Sequence, residues 1–196
     1  MELSFEALRP EYQRLWDTME IRHDRADEVS WVVGRIKRNR ERYESLGLLP
    51  WEMVGVIHLM EAGLAFGCHI HNGDPLFRLE GGKPLMLPTV QVPKGRGPFH
   101  SWEASAADAI SMKTESIPAS VLMAILDREI PAWLWFLENY NGWGSRMYHP
   151  ETLSAYLWSF TNHYTAGKYV ADGKWSATAV SKQCGAAGVL KGLLAA

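Results

Sequence analysis

One short stretch of the sequence places a carboxyl group in apolar surroundings just before a polar, glycine-containing loop. Glu61 lies near the predicted C-terminal end of an apolar helix. Burial among apolar side chains and the negative end of a helix dipole both raise the pKa of a carboxyl group. A glutamic acid that stays protonated near neutral pH can donate a proton to a leaving oxygen atom. We therefore predict that Glu61 is a general acid. The ordinary alternative is a surface glutamate, or one paired with an arginine.

The loop that follows, residues 71–74 (HNGD), contains a second carboxyl group. Because Asn, Gly and Asp tolerate unusual backbone angles, the ordinary role of Asp74 is to stabilise a turn. In the functional alternative Asp74 lies across a cleft from Glu61, where it orients a water molecule or stabilises positive charge at a sugar's anomeric carbon. Thr89, at the start of an extended segment, would help to hold that water; otherwise it is an ordinary strand residue.

Two later segments, residues 140–144 (YNGWG) and 159–172, mix aromatic side chains with amides and hydroxyls. Such surfaces suit carbohydrates, because sugar rings stack on aromatic faces while their hydroxyls bond to amides. Buried polar loops packed on helices would explain the same residues equally well. The candidate substrate-binding residues are His71, Asn72, Tyr140, Asn141, Trp143, Asn162, Tyr164, Lys168 and Tyr169.

Other kinds of site have weaker support in the sequence. His58 and Glu61 are one helical turn apart, and His69 and His71 follow, so a metal site is an alternative. The HExxH pattern of a zinc helix is absent. There is no Gly-x-Ser-x-Gly nucleophile motif, no phosphate-binding glycine-rich motif and no base next to either cysteine. We expect an enzyme without a metal or a cofactor.

A mainly helical, α+β domain is predicted to position these residues. Residues 84–88 and 89–93 alternate briefly between apolar and polar, which indicates a small hairpin or two extended strands beside the cleft. We expect residues 1–196 to form a single domain, with 1–48 as a helical N-terminal elaboration. Helices are predicted over residues 4–20, 23–46, 51–64, 101–113, 118–140 (with a possible break at Pro131), 152–161 and 178–194.

Composition excludes several classes of protein. The 47% apolar and 21% charged content is ordinary for a soluble chain, and a net charge of -2 gives no sign of a nucleic-acid or anionic-membrane partner. No apolar run approaches the roughly 20 residues that span a bilayer, and the N-terminus lacks the features of a signal peptide. The two cysteines, Cys68 and Cys184, are expected to be free thiols. We expect a monomer made in the cytoplasm, which would need release or export to reach a substrate outside.

Several of these segments resemble a family of bacterial and prophage lysozyme-like proteins. They are residues 56–61 (VIHLME), 71–76 (HNGDPL), 89–93 (TVQVP), 140–142 (YNG) and 159–173 (SFTNHYTAGKYVADG). The resemblance runs from about Trp51 to the C-terminus. More distantly, the order of elements is similar to the lysozyme superfamily, in which a catalytic glutamate ends a helix, a small hairpin follows and further helices complete the cleft.

The resemblance implies a peptidoglycan-degrading glycoside hydrolase, such as a bacteriolytic phage or prophage endolysin. Such an enzyme cleaves the β-1,4 bond between N-acetylmuramic acid and N-acetylglucosamine in the cell wall. The order Glu61, Asp74, Thr89 is similar to the Glu, Asp, Thr triad of phage-type lysozymes, with longer spacing. Residues 140–142 also resemble an element of lytic transglycosylases, although Ala62 stands where those enzymes have serine. A transglycosylase, a glycosidase acting on chitin or another β-glucan, and a non-catalytic glycan-binding domain stay open as alternatives.

Overall fold

The computed structural model describes residues 2–195, which are mainly helical with two small antiparallel hairpins. The helices are α1 Phe5–Thr18, α2 Ala26–Arg38, α3 Arg40–Glu44, α4 Trp51–Ala62, α5 Trp102–Thr114, α6 Ala119–Leu126, α7 Ile130–Asn141, α8 Gly144–Tyr148, α9 Ala155–Trp158 and α10 Ala186–Leu194. The hairpins pair β1 Phe77–Glu80 with β2 Lys83–Met86, and β3 Lys168–Ala171 with β4 Lys174–Ser176.

The chain forms two compact units. The central unit comprises residues 39–122, and the terminal unit comprises residues 2–38 together with 123–195. The prediction that the whole chain acts as one catalytic domain, with residues 1–48 as an elaboration, stays a prediction. Along residues 2–195, no helix is both long enough and apolar enough to cross a bilayer.

The terminal unit is built around α7, whose residues are buried from Pro131 to Glu138. A helix that is apolar on nearly all sides has to be covered on all sides, and α1 and α9 both pack on α7. α10 packs on α2. That approach depends on Gly192, because a Cβ atom there would lie 2.8 Å from Cγ2 of Val33.

The central unit is built around α4, which is buried from Glu52 to Leu59 and packs on α3. Tyr43, His58, Phe66 and Trp102 form an aromatic cluster with ring centroids 4.6–6.0 Å apart. The guanidinium group of Arg42 covers the Phe66 ring at 3.8 Å. The cluster joins α3, α4 and α5, so it helps to hold the C-terminal half of α4 in place.

The predicted helices over residues 4–20, 51–64 and 101–113 are confirmed as α1, α4 and α5. Ser4 and Ser101 cap the first and last of these, since each hydroxyl accepts a hydrogen bond from a backbone N–H of the first turn. The free state of both cysteines, Cys68 and Cys184, is also confirmed.

Two long segments were each predicted as one helix, and this is wrong because each forms two or more shorter elements. Residues 23–46 form a 3₁₀ turn, α2 and α3, and the helix breaks at Asn39, whose type disfavours helix interiors. Residues 118–140 form α6 and α7, and Arg128 between them has a φ of +65°. The break therefore precedes Pro131, which lies in the first turn of α7, where a missing N–H costs nothing.

The predicted hairpin at residues 84–93 is also wrong in place. The strands that pair are residues 77–80 and 83–86, with Phe77 opposite Met86. They pair here because Gly81 and Gly82, which connect them, both adopt positive φ and form the tight turn. A second hairpin, β3–β4, lies at residues 168–176, where no strand was predicted. The last two predicted helices are shorter than expected: α9 covers only Ala155–Trp158, and α10 begins at Ala186.

Candidate active site

Glu61 is the penultimate residue of α4 and is half-buried. The helix ends immediately after it, because Gly63 adopts a left-handed conformation (φ +58°) that an L side chain disfavours. The N–H groups of Gly63 and Leu64 close this end by donating to the carbonyl groups of Leu59 and His58. Glu61 is thus held on a capped helix end and not on a loop.

The loop of residues 67–76 folds back on itself and lies on the end of α4. Its two arms are joined by hydrogen bonds from the His69 N–H to the Asp74 carbonyl (2.8 Å) and from the Leu76 N–H to the Gly67 carbonyl (2.8 Å). Gly73 (φ +79°) approaches the helix so closely that a Cβ atom there would lie 2.8 Å from the carbonyl oxygen of Glu61. The glycine of the HNGD segment therefore sets the loop against the candidate acid.

Glu61 interacts electrostatically with Lys113, which lies in the last turn of α5. Burial lowers the pKa of Lys113 below its ordinary value, while the Glu61 carboxylate acts in the opposite direction. Titratable groups whose proton affinity is perturbed by burial and by a specific partner are common at functional sites. Lys113 was not among the residues singled out from the sequence, since no local pattern links it to α4.

Asp74 is buried, with 4% of its surface exposed, and its carboxylate accepts three hydrogen bonds. It accepts hydrogen bonds from the Val90 N–H (2.8 Å), the Gln91 N–H (2.9 Å) and the Gln91 side-chain amide (2.9 Å). Burial alone would raise the pKa of Asp74, but these hydrogen bonds outweigh it and hold the pKa below its ordinary value. In this structure Asp74 is a charged anchor for residues 90–91; its predicted catalytic role stays a prediction.

Thr89 organises the segment next to that anchor. Its hydroxyl donates to the Pro93 carbonyl (2.5 Å) and accepts from the Arg96 N–H (2.9 Å). Its backbone N–H donates to the Arg96 carbonyl at 3.0 Å. Both hydrogen-bonding functions of the hydroxyl are therefore used within residues 89–96, and the predicted role of Thr89 in holding a water molecule stays a prediction.

The side chain of His71 points into the protein and has no exposed surface. The Nε2 atom of His71 donates to the Asp108 carboxylate (2.9 Å), which also accepts a hydrogen bond from Arg96. The His71 ring stacks on Phe99. Burial lowers the pKa of His71, although the hydrogen bond that His71 donates to Asp108 opposes this. The neighbouring Asn72 is half-buried; its Oδ1 accepts from the Asp74 N–H at 3.0 Å. Here these two residues shape the loop, and their predicted contact with substrate stays a prediction.

The histidines considered for a metal site bond to other groups. Nδ1 of His58 lies 3.0 Å from the Tyr43 hydroxyl, and His69 contacts the Ser105 hydroxyl (2.8 Å) and the Leu87 carbonyl (3.0 Å). Within residues 2–195 no three His, Cys, Asp or Glu side chains are grouped so that they could hold a metal ion.

The remaining candidate residues lie in the terminal unit. Asn162 joins its loop to α1, since its Oδ1 accepts from the Glu20 N–H (3.0 Å) and its Nδ2 donates to the Thr18 carbonyl (3.0 Å). The buried hydroxyl of Tyr164 bonds to backbone groups at residues 167 and 181. The polar groups of these two side chains are therefore engaged in stabilising the fold.

The aromatic residues at the end of α7 have mixed surroundings. Tyr140 is buried, whereas Asn141 is exposed. Trp143 is half-buried, and its indole N–H donates to Oδ1 of Asn139 at 3.1 Å. Lys168 and Tyr169 both lie on β3, and Tyr169 lines an open cavity next to that strand.

The terminal unit also contains a buried ionic network that was not predicted from the sequence. The Glu138 carboxylate accepts from the Tyr12 hydroxyl and from Arg146 (2.9 Å), which also bonds to Glu11 (3.0 Å). Burial and the Glu138 charge both raise the pKa of Tyr12, so its hydroxyl stays protonated and donates. Glu138, which lies among the apolar residues of α7, is the feature of the sequence that could have predicted this network, because a buried charge requires a partner.

Taken together, the structure defines a mainly helical protein with two small antiparallel hairpins. The central unit brings Glu61, the HNGD loop and the anchors Asp74 and Thr89 into one region. No protein-family model matches the chain, and no curated protein or solved structure is significantly similar to it.

Proposed function

We propose that the protein is a lysozyme-like glycoside hydrolase that cleaves peptidoglycan between N-acetylmuramic acid and N-acetylglucosamine. Glu61 is the general acid. The observation that carries the proposal is the position of this carboxyl group: it is half-buried in the last turn of a buried helix. A partly buried carboxyl group with access to solvent can keep a proton and transfer it to a leaving oxygen.

The order of elements after Glu61 supports the lysozyme-like assignment. α4 ends one residue after the acid, the loop of residues 67–76 packs on that end, and the hairpin β1–β2 follows directly. The same order of helix, loop and hairpin is what the resemblance of residues 56–61 and 71–76 to lysozyme-like proteins implies.

In the proposed reaction, Glu61 protonates the glycosidic oxygen as the C1–O4 bond breaks. Positive charge then develops at the anomeric carbon. A water molecule forms a bond from its oxygen to that carbon, and the proton that it loses passes to the Glu61 carboxylate or to solvent. The buried negative charge of Asp74 would stabilise that positive charge through space without any change in its hydrogen bonds. Three of the roughly four acceptor positions of the Asp74 carboxylate are used by Val90 and Gln91, so a water molecule that Asp74 holds would bond to Oδ1 beside the Gln91 side-chain amide.

The engagement of Asp74 by three donors favours a second candidate, a lytic transglycosylase. In that reaction the C6 hydroxyl of the muramic acid attacks its own C1, and the C1–O4 bond breaks. Glu61 gives its proton to O4 and then receives the hydroxyl proton. No second carboxylate is required, which agrees with a carboxylate already engaged by Val90 and Gln91.

The protein would act on the bacterial cell wall as a monomer, as a phage or prophage endolysin does. It would reach the wall after release through a membrane pore or after export.

The test compares Glu61→Gln with Glu41→Gln, an exposed residue of α3 that undergoes the same chemical change. Loss of a general acid should slow the clearing of purified cell walls by about 10²–10⁴-fold, whereas Glu41→Gln should match the wild type. Circular dichroism and thermal unfolding establish that both variants are folded. Full activity of Glu61→Gln would exclude Glu61 as the acid.

Mass spectrometry of the soluble products separates the candidate reactions. Reducing muramic acid ends mean hydrolysis, and 1,6-anhydro ends mean transglycosylation. Cleavage of chitin but not of cell walls would point to a different β-linked glycan. Wall binding without any product would mean a non-catalytic glycan-binding domain.

A further inference from the structure

A cavity of about 150 Å³ lies within the terminal unit and is lined by charged and hydroxyl groups. The lining is formed by Glu11 of α1, Glu138 of α7, Arg146 of α8, and Pro150 and residues 152–154 of the segment that leads into α9. Sites for drug-sized ligands have volumes of about 300–1,000 Å³, so this cavity fits a ligand of a few non-hydrogen atoms or the end of a longer molecule. We propose that the cavity binds a primary ammonium group. This proposal does not depend on the hydrolase function proposed above.

Ser154 has an unsatisfied hydroxyl group at this cavity. The residue is 4% exposed, and its Oγ is buried without a hydrogen-bond partner among residues 2–195. Ser154 is the N-cap residue of α9, where a serine hydroxyl ordinarily accepts a hydrogen bond from the first turn, but it makes no such bond. A buried hydroxyl without a partner costs free energy. A ligand that donates a hydrogen bond to Oγ removes that cost.

The buried carboxylate of Glu138 provides a second acceptor. Within residues 2–195, all three donors to Glu138 reach its Oε2 atom: the Tyr12 hydroxyl and Nε (3.2 Å) and Nη2 (2.9 Å) of Arg146. Burial and the Glu138 charge raise the pKa of Tyr12, so this hydroxyl keeps its proton and continues to donate. The Oε1 atom of Glu138, on a side chain that is 3% exposed, is therefore available to accept a hydrogen bond from a ligand.

Glu11 provides the third acceptor and the excess of negative charge. Both of its carboxylate oxygens bind Nη1 of Arg146 (3.0 and 3.1 Å), and each of them can accept another hydrogen bond. The Glu11 side chain is 31% exposed, so a ligand enters the cavity from this side and reaches the buried Glu138. The lining contains two carboxylates and one guanidinium group, which leaves one negative charge for a cation to balance.

A primary ammonium group matches this lining in charge and in its number of donors. It carries one positive charge and three N–H donors. These donors correspond to three acceptors of the lining: Oε1 of Glu138, Oγ of Ser154 and the carboxylate of Glu11. Pro150 and Leu153 provide an apolar surface for the carbon atom that carries the ammonium group. A divalent metal ion fits less well, because residues 2–195 contain no group of three His, Cys, Asp or Glu side chains that could hold one.

The experiment titrates ethylammonium chloride into the full-length protein at constant ionic strength and follows the backbone amide signals by NMR. We expect saturable shifts of the amides of residues 152–154. Tetramethylammonium has the same charge without an N–H donor, and potassium is a cation without any donor, so neither should match the affinity of ethylammonium. The absence of saturable shifts with ethylammonium would overturn the proposal. Equal affinity for tetramethylammonium or potassium would also overturn it, because charge alone would then explain binding.

Ser154→Ala tests the unsatisfied hydroxyl. It should weaken ethylammonium binding about 10-fold, equivalent to about 1.4 kcal/mol, because one acceptor is lost. Ser159→Ala is the matched control: Ser159 is also buried in the terminal unit, but its hydroxyl donates to the Gln183 carbonyl and it does not line the cavity. Without ligand, Ser154→Ala should be at least as stable as the wild type in urea unfolding, because it removes a buried hydroxyl that has no partner. Unchanged affinity, or a less stable variant, would overturn the role of Ser154.

Glu11→Gln tests the charge of the cavity. It should weaken ethylammonium binding roughly 5-fold, equivalent to about 1 kcal/mol, because the lining then has no excess negative charge. Glu6→Gln is the matched control, since Glu6 is exposed on the same helix and does not line the cavity. Equal affinity in Glu11→Gln and Glu6→Gln would overturn the assignment of a cationic ligand. These measurements involve no cleavage of cell walls, so their outcome is independent of the test of Glu61.

Discussion

Gly73 lies directly against the backbone carbonyl oxygen of Glu61, and a Cβ atom at residue 73 would come within 2.8 Å of that oxygen. This contact seats the loop of residues 67–76 on the last turn of α4. The same loop contains Asp74, which binds the backbone of residues 90–91. Gly73 therefore contributes both to the surroundings of Glu61 and to the position of Asp74. A small change at Gly73 should therefore affect both.

We expect Gly73→Ala to lower both stability and activity. Gly82→Ala is the matched control, since its φ of +78° equals that of Gly73 within a degree but nothing lies within 4 Å of its Cβ position. Gly82→Ala lowers the free energy of unfolding only through its backbone conformation. Gly73→Ala should therefore lower it by roughly 1–3 kcal/mol more, because its Cβ atom also clashes. Urea unfolding measures the difference. Equal costs for the two variants would show that the loop yields without penalty.

Asp74→Asn should lower the free energy of unfolding by about 1–3 kcal/mol at neutral pH, because buried N–H donors lose a charged acceptor. The folded-state pKa of Asp74 lies below its ordinary value of 3.8, so this stabilisation is present above about pH 4 and is lost as the pH falls through the folded-state pKa. The stability difference between wild type and variant should therefore shrink in acid. Asp127→Asn, at an exposed residue, is the control. A pH-independent difference would contradict the assignment of Asp74 as a charged anchor.

Lys113→Met should move the alkaline limb of the activity profile to higher pH. A cation beside Glu61 favours the ionised carboxylate, so its removal lets the acid keep its proton at higher pH. The measurement is the pH dependence of cell-wall clearing. Lys94→Met, which removes an exposed charge from the same unit, should leave the profile in place. An unchanged alkaline limb in Lys113→Met would mean that the proton lost there does not belong to Glu61.

Glu138→Gln should destabilise the protein by about 3–5 kcal/mol, because it breaks a buried ion pair and leaves the Arg146 charge poorly compensated. The Glu138 side chain is 3% exposed, whereas Glu11, the other partner of Arg146, is 31% exposed. Glu11→Gln should therefore cost no more than about 1 kcal/mol. Thermal and urea unfolding compare the two variants. Similar losses from both would indicate that Arg146 does not depend on its buried partner.

The local patterns in the sequence were sufficient for the elements that have clear caps or periodic apolar faces. Ser4 and Ser101, the first residues of two predicted helical segments, are the N-caps of α1 and α5, and α4 places Glu61 near its end. The hairpin was misplaced because the alternation of residues 84–93 outweighed the turn signal of Gly81 and Gly82.

The candidate site likewise combines features that the sequence specifies locally with contacts that depend on the tertiary structure. The sequence by itself determined a helix that ends in a carboxyl group, a turn-forming HNGD loop after it and two free thiols. Only the tertiary structure decided that Val90 and Gln91 satisfy Asp74, that Lys113 neighbours Glu61 and that Tyr148 and Tyr169 share a cavity. Helix periodicity and capping are short-range properties that a few neighbouring residues specify. These contacts instead join residues 16 to 52 positions apart, and only the packing of the chain brings them together.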